Sequence, residues 1–138
     1  MQCFRPSRRS CGCEIIDIDC HAVDGDYAPE QAYSVLTGYL DRNGCPFTGL
    51  VVNSGLAAKG ALLALAEHGI DVPGEVSVIG VGSGEAARLF NPPVTVVQGL
   101  QEENRIAAGV DRHFRDPQSG LIAIPSRAVL ELRKSVRN

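Results

Sequence analysis

Apolar residues recur near the start of the chain in two different spacings, which predict a strand followed by a helix. Residues 14–20, EIIDIDC, alternate apolar and polar positions as a half-buried strand does. The helix is predicted to have Asp26 as its N-cap, Pro29 in its first turn and Gly44 at its end. Its apolar face, which we expect in the core, consists of Ala32, Val35, Leu36, Tyr39 and Leu40.

Short apolar runs predict three further strands, at residues 48–52, 76–81 and 94–97. The run at residues 48–52, TGLVV, is continuous, which is typical of a strand covered on both faces in a parallel sheet. The run at residues 76–81, VSVIGV, predicts another buried strand. Both runs favour a sheet with helices packed against it.

Helices are predicted between these strands. One runs from the turn at residues 53–55 to about His68, with Gly69 as its C-terminal cap. A shorter helix ends near Phe90, before two prolines that cannot continue it. The last predicted elements are a helix over residues 101–114 and strands over residues 121–124 and 128–130.

The alternation of strands and helices predicts an α/β fold with a three-layer, doubly wound, mostly parallel sheet. Ligands of such folds bind beyond the carboxyl ends of the strands, which here are residues 21–27, 53–55 and 81–84. A length of 138 residues fits one domain. Residues 1–12 show no periodicity and are interpreted as a frayed or foreign leader.

Composition restricts the classes of function. Hydrophobic residues make up 44% and charged residues 21% of the chain, which is typical of a globular domain. The net charge of -3 argues against a nucleic-acid-binding surface, because phosphate contacts need clustered Lys and Arg. The sequence contains neither a transmembrane run nor the apolar stretch of a signal peptide, so we expect a cytoplasmic protein without a membrane partner.

Residue types that carry catalysis or bind metals are poorly arranged for either task. The five cysteines are odd in number and form no C-x2-C pair, so neither a disulfide framework nor a zinc site is predicted. His21, His68 and His113 are far apart in sequence. The string GVGSG at residues 80–84 is not a dinucleotide motif, a P-loop or a nucleophile elbow. We therefore predict no catalytic residue, no metal, no cofactor and no enzyme activity.

An ordered set of motifs between residues 47 and 98 resembles a known family. The motifs are Asn53 after a buried strand, Gly60-Ala61-Leu62 in the following helix, Val72-Pro73, VSVIG at residues 76–80 and PPVT at residues 92–95. In this order and spacing they resemble the C-terminal part of the effector-binding domain of LacI/GalR-family transcriptional regulators. The resemblance implies an incomplete type I periplasmic-binding-protein-like fold over residues 13–138, with residues 94–120 in the other subdomain.

The resemblance also implies a function. Family members are homodimers that bind a small-molecule effector, such as a sugar, a nucleoside or a related metabolite, between two subdomains. The helix-turn-helix head that contacts DNA in such regulators is not found in this sequence, so we expect no specific DNA binding by this chain. One alternative is a fragment of a periplasmic-type solute-binding protein, and another is a small nucleotide-dependent enzyme that uses the glycine turn at residues 80–84.

Five residues stand where the family contacts its ligand, namely Tyr27, Asn53, Ser54, Gly82 and Ser83. The Tyr27 ring could stack on an apolar ligand face or merely pack at the helix entry. Asn53 can donate and accept hydrogen bonds, or form a turn. Ser54 and Gly82 replace acids of the family pattern, so Ser54 is better explained as a helix cap, and we expect any sugar to bind weakly.

The helix after residue 53 is apolar on more than one side, which predicts that it takes part in a dimer contact. The turn near Phe90 is expected to contribute as well. The predicted dimer residues are Leu56, Ala58, Leu62, Leu65 and Phe90.

Overall fold

The computed structural model describes residues 12, 14–19, 29–82, 85–99, 111, 112, 114, 115 and 127–137. Its helices are α1 (Pro29–Asn43), α2 (Ala58–Glu67) and a short 3-10 helix (Ala86–Leu89). Its strands are β1 (Gly49–Val52), β2 (Ser77–Val81), β3 (Thr95–Gly99) and β4 (Ala128–Glu131). Of the helix predicted over residues 101–114, residues 111, 112 and 114 are described and helical, while the strand predicted over residues 121–124 lies outside the described residues.

The four strands form one sheet in the order β1-β2-β3-β4. β2 pairs in parallel with β1 and with β3, and β4 closes the other side antiparallel to β3. This confirms the predicted α/β fold with a mostly parallel sheet. β3 is hydrogen-bonded to β2, and Val94 and Val96 are fully buried. The assignment of residues 94–120 to the other subdomain stays a prediction.

The core lies where α2 packs on the sheet and α1 packs on α2. Leu36 and Leu40 of α1 are buried, as the helical spacing predicts. Ala58, Leu62 and Leu65 of α2 are also buried inside this core, so their predicted role as dimer contacts is corrected. A helix between a sheet and a second helix buries more than one face, which explains why α2 is apolar on more than one side.

The face of the sheet opposite α2 is more open than the apolar run at residues 48–52 predicts. Leu50 and Val52 pack against the core, and Val51, which points to the other face, is 68% exposed. Register places Val81 and Leu130 on that same open face, and both are exposed. The prediction that both faces of β1 are covered is therefore wrong for Val51.

The predicted strand at residues 14–20 is not present as a strand in its described part. Residues 14–19 have no regular secondary structure, although Ile18 packs against the core. Alternating polarity describes a segment that is apolar on one side, whereas a strand also needs a partner ladder, which periodicity cannot supply. The predicted helix N-cap, Asp26, lies outside the described residues.

The end of α2 has the glycine cap that its sequence predicts. Gly69 has a φ of 71°, in the left-handed region that favours glycine. The Gly69 N–H donates to Ala66 O at 3.0 Å, and the Ile70 N–H donates to Leu65 O at 2.9 Å. These two bonds form a Schellman motif, which satisfies carbonyls at the end of the helix and turns the chain toward β2.

The C-terminal segment is joined to the sheet by a buried polar contact. Ser135 and Thr95 are both fully buried. The Ser135 hydroxyl donates to Val78 O at 2.6 Å and accepts the Thr95 N–H at 2.8 Å. Because these buried groups satisfy one another, the segment after β4 holds the starts of β2 and β3 together.

Two polar contacts link α1 to the C-terminal end of α2, and one glycine allows the two helices to approach closely. The Tyr33 hydroxyl donates to Glu67 Oε2 at 2.6 Å, and this bond to a carboxylate raises the pKa of Tyr33. His68 Nε2 lies 3.1 Å from Asp41 Oδ1. A Cβ atom on Gly60 would overlap the Pro29 carbonyl oxygen, so the two helices approach each other closely at this glycine.

We expect Gly60→Ala to lower the free energy of unfolding by about 1–3 kcal/mol, because the added methyl group must push α1 away from α2. Gly38→Ala is the matched control, since Gly38 is also helical and its Cβ would meet only the Arg42 guanidinium, at 3.6 Å. That substitution should stabilise the chain by roughly 0.5–1 kcal/mol. Urea unfolding of both variants measures the difference, and equal effects would contradict the close crossing.

The pKa of His68 is raised above its ordinary value of 6.5, first by the Ala64 carbonyl, 2.7 Å from Nδ1, and then by Asp41. A raised pKa means that folding favours the protonated ring. Its stabilising contribution should be fully present below pH 6.5 and disappear as the pH rises through the raised value. Thermal unfolding at several pH values should show that the stability of the wild type relative to His68→Gln increases on acidification. A stability difference that does not depend on pH would contradict the contacts of His68 with Ala64 and Asp41.

Candidate functional site

A cleft open to solvent lies at the carboxyl ends of β1 and β2, with a volume of about 490 Å³. Parallel α/β sheets bind their ligands at this edge. The residues that line the cleft are Asn53, Ser54, Gly55, Leu56, Val81, Gly82, Glu85 and Ala86. They come from two segments, the turn between β1 and α2 and the stretch between β2 and the 3-10 helix.

The register of the sheet brings these two segments together. Val52 of β1 pairs with Gly80 of β2, so Asn53, the residue that follows β1, lies beside Val81, the last residue of β2. A Cβ atom on Gly80 would lie only 3.0 Å from the Cα of Gly55. The turn at residues 53–55 can therefore fold over the end of β2 because position 80 carries no side chain.

Gly82 shapes the second wall of the cleft through its backbone. Its φ is 101°, which lies in the region that side-chain-bearing residues rarely adopt. Its N–H donates to Val97 O at 2.8 Å, which ties the turn to β3. Backbone conformation is sufficient to explain a glycine at this position.

Ser54 and Asn53 have different surroundings. The Ser54 hydroxyl accepts the Ala57 N–H at 3.4 Å, and its carbonyl accepts the Ala58 N–H at 3.2 Å, so Ser54 caps the turn that leads into α2. Asn53 is exposed, and its side-chain amide makes no hydrogen bond within the described part of the chain. The amide of Asn53 is therefore available to donate to and accept from a ligand.

Glu85 brings a carboxylate to the cleft. It immediately precedes the 3-10 helix, and its side chain is 86% exposed. Arg88 Nη2 lies 3.4 Å from Glu85 Oε1, and Arg88 Nε donates to the Glu85 backbone carbonyl at 3.3 Å. Both side chains are largely exposed, so this ion pair is weak.

The structure brings together three of the five predicted ligand residues: Asn53, Ser54 and Gly82. Tyr27 and Ser83 lie outside the described residues. Leu56, predicted as a dimer contact, lines the cleft. The sequence analysis did not predict Glu85, because the family pattern has its acids at residues 82 and 83. Glu85 could have been found as the first acidic residue after the glycine turn.

The cleft offers two kinds of surface to a ligand. Asn53 and Glu85 supply polar groups, and Leu56, Val81 and Ala86 supply apolar contact. This combination suits a small ligand that has both hydrogen-bonding groups and an apolar face. His68 lies beyond the far end of α2, ten residues or about 15 Å of helix from its start, so it does not contribute to the cleft.

Neither a metal-binding cluster nor a membrane-spanning helix occurs in the part of the chain that the structure describes. No group of three or more His, Cys, Asp or Glu side chains there could hold a metal ion. No helix in the same residues is long and apolar enough to cross a membrane.

Comparison with known sequences gives a consistent result. The periplasmic binding protein-like domain family matches residues 8–104. The HTH-type transcriptional repressor PurR of Actinobacillus pleuropneumoniae serotype 3 is 30% identical over 125 residues, covering 83% of this chain and 35% of the repressor. PurR of Edwardsiella ictaluri is 33% identical over 94 residues, covering 68% of this chain and 27% of that protein. This chain spans about a third of the length of such relatives.

Comparison with solved structures agrees. A sugar-binding transcriptional regulator of the LacI family from Escherichia coli, complexed with phosphate, is 26% identical with a TM-score of 0.62, over 81% of this chain and 40% of that one. The Escherichia coli transcriptional repressor ascG is 27% identical with a TM-score of 0.62, over 81% and 41% of the two chains. The chain therefore belongs to the family of periplasmic binding protein-like domains, in the form that LacI/GalR-family regulators use to bind effectors. The resemblance predicted from residues 47–98 is confirmed.

We expect Gly82→Ala to destabilise the chain by about 1–2 kcal/mol, because alanine must adopt an unfavourable positive φ. Gly99→Ala is the matched control at the end of β3: a Cβ has free space at both positions, and only Gly82 has a positive φ. The control should be neutral or stabilising by roughly 0.5–1 kcal/mol. Chemical denaturation of the two variants tests this, and equal stabilities would show that Gly82 is not needed for its backbone.

Proposed function

We propose that this chain is the effector-sensing and dimerising portion of a LacI/GalR-like transcriptional regulator, and not an enzyme. The observation that carries the proposal is the cleft in which Asn53 and Gly82, predicted from the family pattern, lie at the ends of neighbouring parallel strands. The similarity to transcriptional repressors supports it. Such a regulator acts in the cytoplasm and recognises a small polar metabolite.

The proposed mechanism is a population shift between two arrangements of the complete regulator. An effector that binds this cleft and an opposing subdomain favours the arrangement in which it contacts both. DNA contact is assigned to a part of the regulator other than the described residues, because the chain carries a net charge of -3. In this mechanism the described cleft supplies one wall of the effector site.

One wall should bind an effector only weakly. Each exposed hydrogen bond contributes on the order of 1 kcal/mol or less, and millimolar affinity corresponds to about 4 kcal/mol. We therefore expect simple sugars and purines to bind this chain with dissociation constants in the millimolar range or weaker. Chemical-shift changes in the amides of residues 53–56 during an NMR titration measure this binding directly.

The matched variants for this titration are Asn53→Ala and Asn43→Ala. Loss of the Asn53 amide should weaken binding roughly twofold to tenfold, which corresponds to one neutral hydrogen bond. Asn43 bonds to the Tyr39 carbonyl at the end of α1, so its replacement should leave binding unchanged. Absence of any shift in the cleft amides, or equal effects of both variants, would count against the proposed effector site.

The dimer surface in this proposal uses exposed leucines in the same two segments that the sequence indicates. Leu63 of α2 is exposed, and Leu89 of the 3-10 helix is 85% exposed. Phe90 is half-buried and packs against the core, so it contributes less surface. Contiguous apolar patches mark interaction sites, and this proposal assigns Leu63 and Leu89 to one such patch.

Leu89→Glu should lower the oligomer mass measured by light scattering, because a charge would be placed in an apolar contact. Leu132→Glu serves as the control, since Leu132 is exposed outside both segments. Leu62→Glu cannot serve as a probe, because Leu62 is in the core and a charge there would unfold the chain. An unchanged mass for both Leu89→Glu and Leu63→Glu would argue against this surface.

A further inference from the structure

We propose that Glu85 selects the charge of the ligand, so that the cleft favours hydroxyl-bearing and ammonium-bearing molecules over anionic ones. This inference rests on the proposed effector site, because it assigns a ligand class to the same cleft. Residues 82 and 83, where the family pattern has acids, are glycine and serine in this chain. The inference comes from where the fold places the acid that follows.

Glu85 is the only ionisable side chain among the residues that line the described part of the cleft. The opposite wall contributes the neutral Asn53 and Ser54. A carboxylate is a strong hydrogen-bond acceptor and donates nothing when ionised. It therefore attracts O–H and N–H donors, and it repels a phosphate or carboxylate group that enters the same space.

The contact with Arg88 leaves this carboxylate able to bind a ligand. The ion pair involves Glu85 Oε1 at 3.4 Å, so Oε2 remains as an acceptor. Arg88 does not line the cleft. A long, exposed pair of this kind holds the side chain only loosely and is easily exchanged for a contact with a ligand.

The apolar part of the cleft limits the ligand further. Leu56 and Val81 are both exposed and stand beside the polar groups. A sugar ring presents C–H groups on one face and hydroxyl groups around its rim, so it can contact both kinds of surface. A neutral sugar or an amino sugar fits this cleft better than a sugar phosphate.

The experiment uses three probes that share one ring: glucose, glucosamine in its protonated form and glucose 6-phosphate. Each is titrated into the isotope-labelled chain, and NMR shifts of amides in residues 53–56 and 85–86 give the dissociation constants. We expect glucosamine to bind most tightly and glucose 6-phosphate most weakly. Glu85→Gln should reduce the ratio between these two affinities by about 1.4- to 5-fold, the range expected for an exposed charge pair.

Glu75→Gln is the matched control. Glu75 precedes the start of β2, at the end of the strand that is away from the cleft. Its carboxylate accepts the Asp71 N–H at 2.9 Å, and a glutamine side-chain oxygen can accept the same hydrogen bond. The control should leave the ratio unchanged. Fold is not at risk in the test variant, because Glu85 is largely exposed.

The outcomes separate this inference from the proposed function. If the probes shift the cleft amides but Glu85→Gln leaves their affinity ratio unchanged, Glu85 does not select charge and the effector site still stands. If glucose 6-phosphate binds most tightly to the wild-type chain, the assigned ligand class is wrong. If no probe shifts the cleft amides, both this inference and the proposed effector site fail.

Discussion

Parallel hydrogen bonding between β1 and β2 is the constraint on which the cleft depends. The register pairs Val52 with Gly80, so Asn53, which follows β1, and Val81, which ends β2, lie at the same edge of the sheet. Side chains that are about thirty residues apart in sequence thereby come to line one space. A shift of the strand register by one residue would turn each side chain of that strand to the other face of the sheet. The burial of the apolar side chains on one face therefore fixes the register, and the register decides which polar groups reach the cleft.

Two glycines allow the backbone to pack as closely as this arrangement requires. Gly60 lets α1 cross α2, and Gly80 lets the turn at Gly55 lie on β2. A Cβ atom at position 60 would overlap the Pro29 carbonyl oxygen, and one at position 80 would crowd the Cα of Gly55. The glycines of the family motifs at residues 60 and 80 thus have a packing reason that can be stated in terms of this chain alone.

The polar groups of the cleft lie in short segments whose local sequence patterns predict little about their positions. Ser54 is engaged in the turn before α2, which leaves Asn53 as the freely available amide. The acid is Glu85, which immediately precedes the four-residue 3-10 helix and lines the cleft at the end of β2. The cleft therefore contains a carboxylate even though the positions expected to carry it are occupied by glycine and serine.

The sequence by itself determined the elements whose signals are local: α1 with its apolar face, α2 with Gly69 as its cap, and the strands of the parallel sheet. It also located Asn53 and Gly82 at strand ends. Tertiary structure alone decided which apolar side chains are buried, because Leu62 and Val51 belong to similar runs and only one of them has a neighbouring element over it. It also decided that residues 14–19 form no strand and that Glu85 reaches the cleft, since both depend on partners distant in sequence.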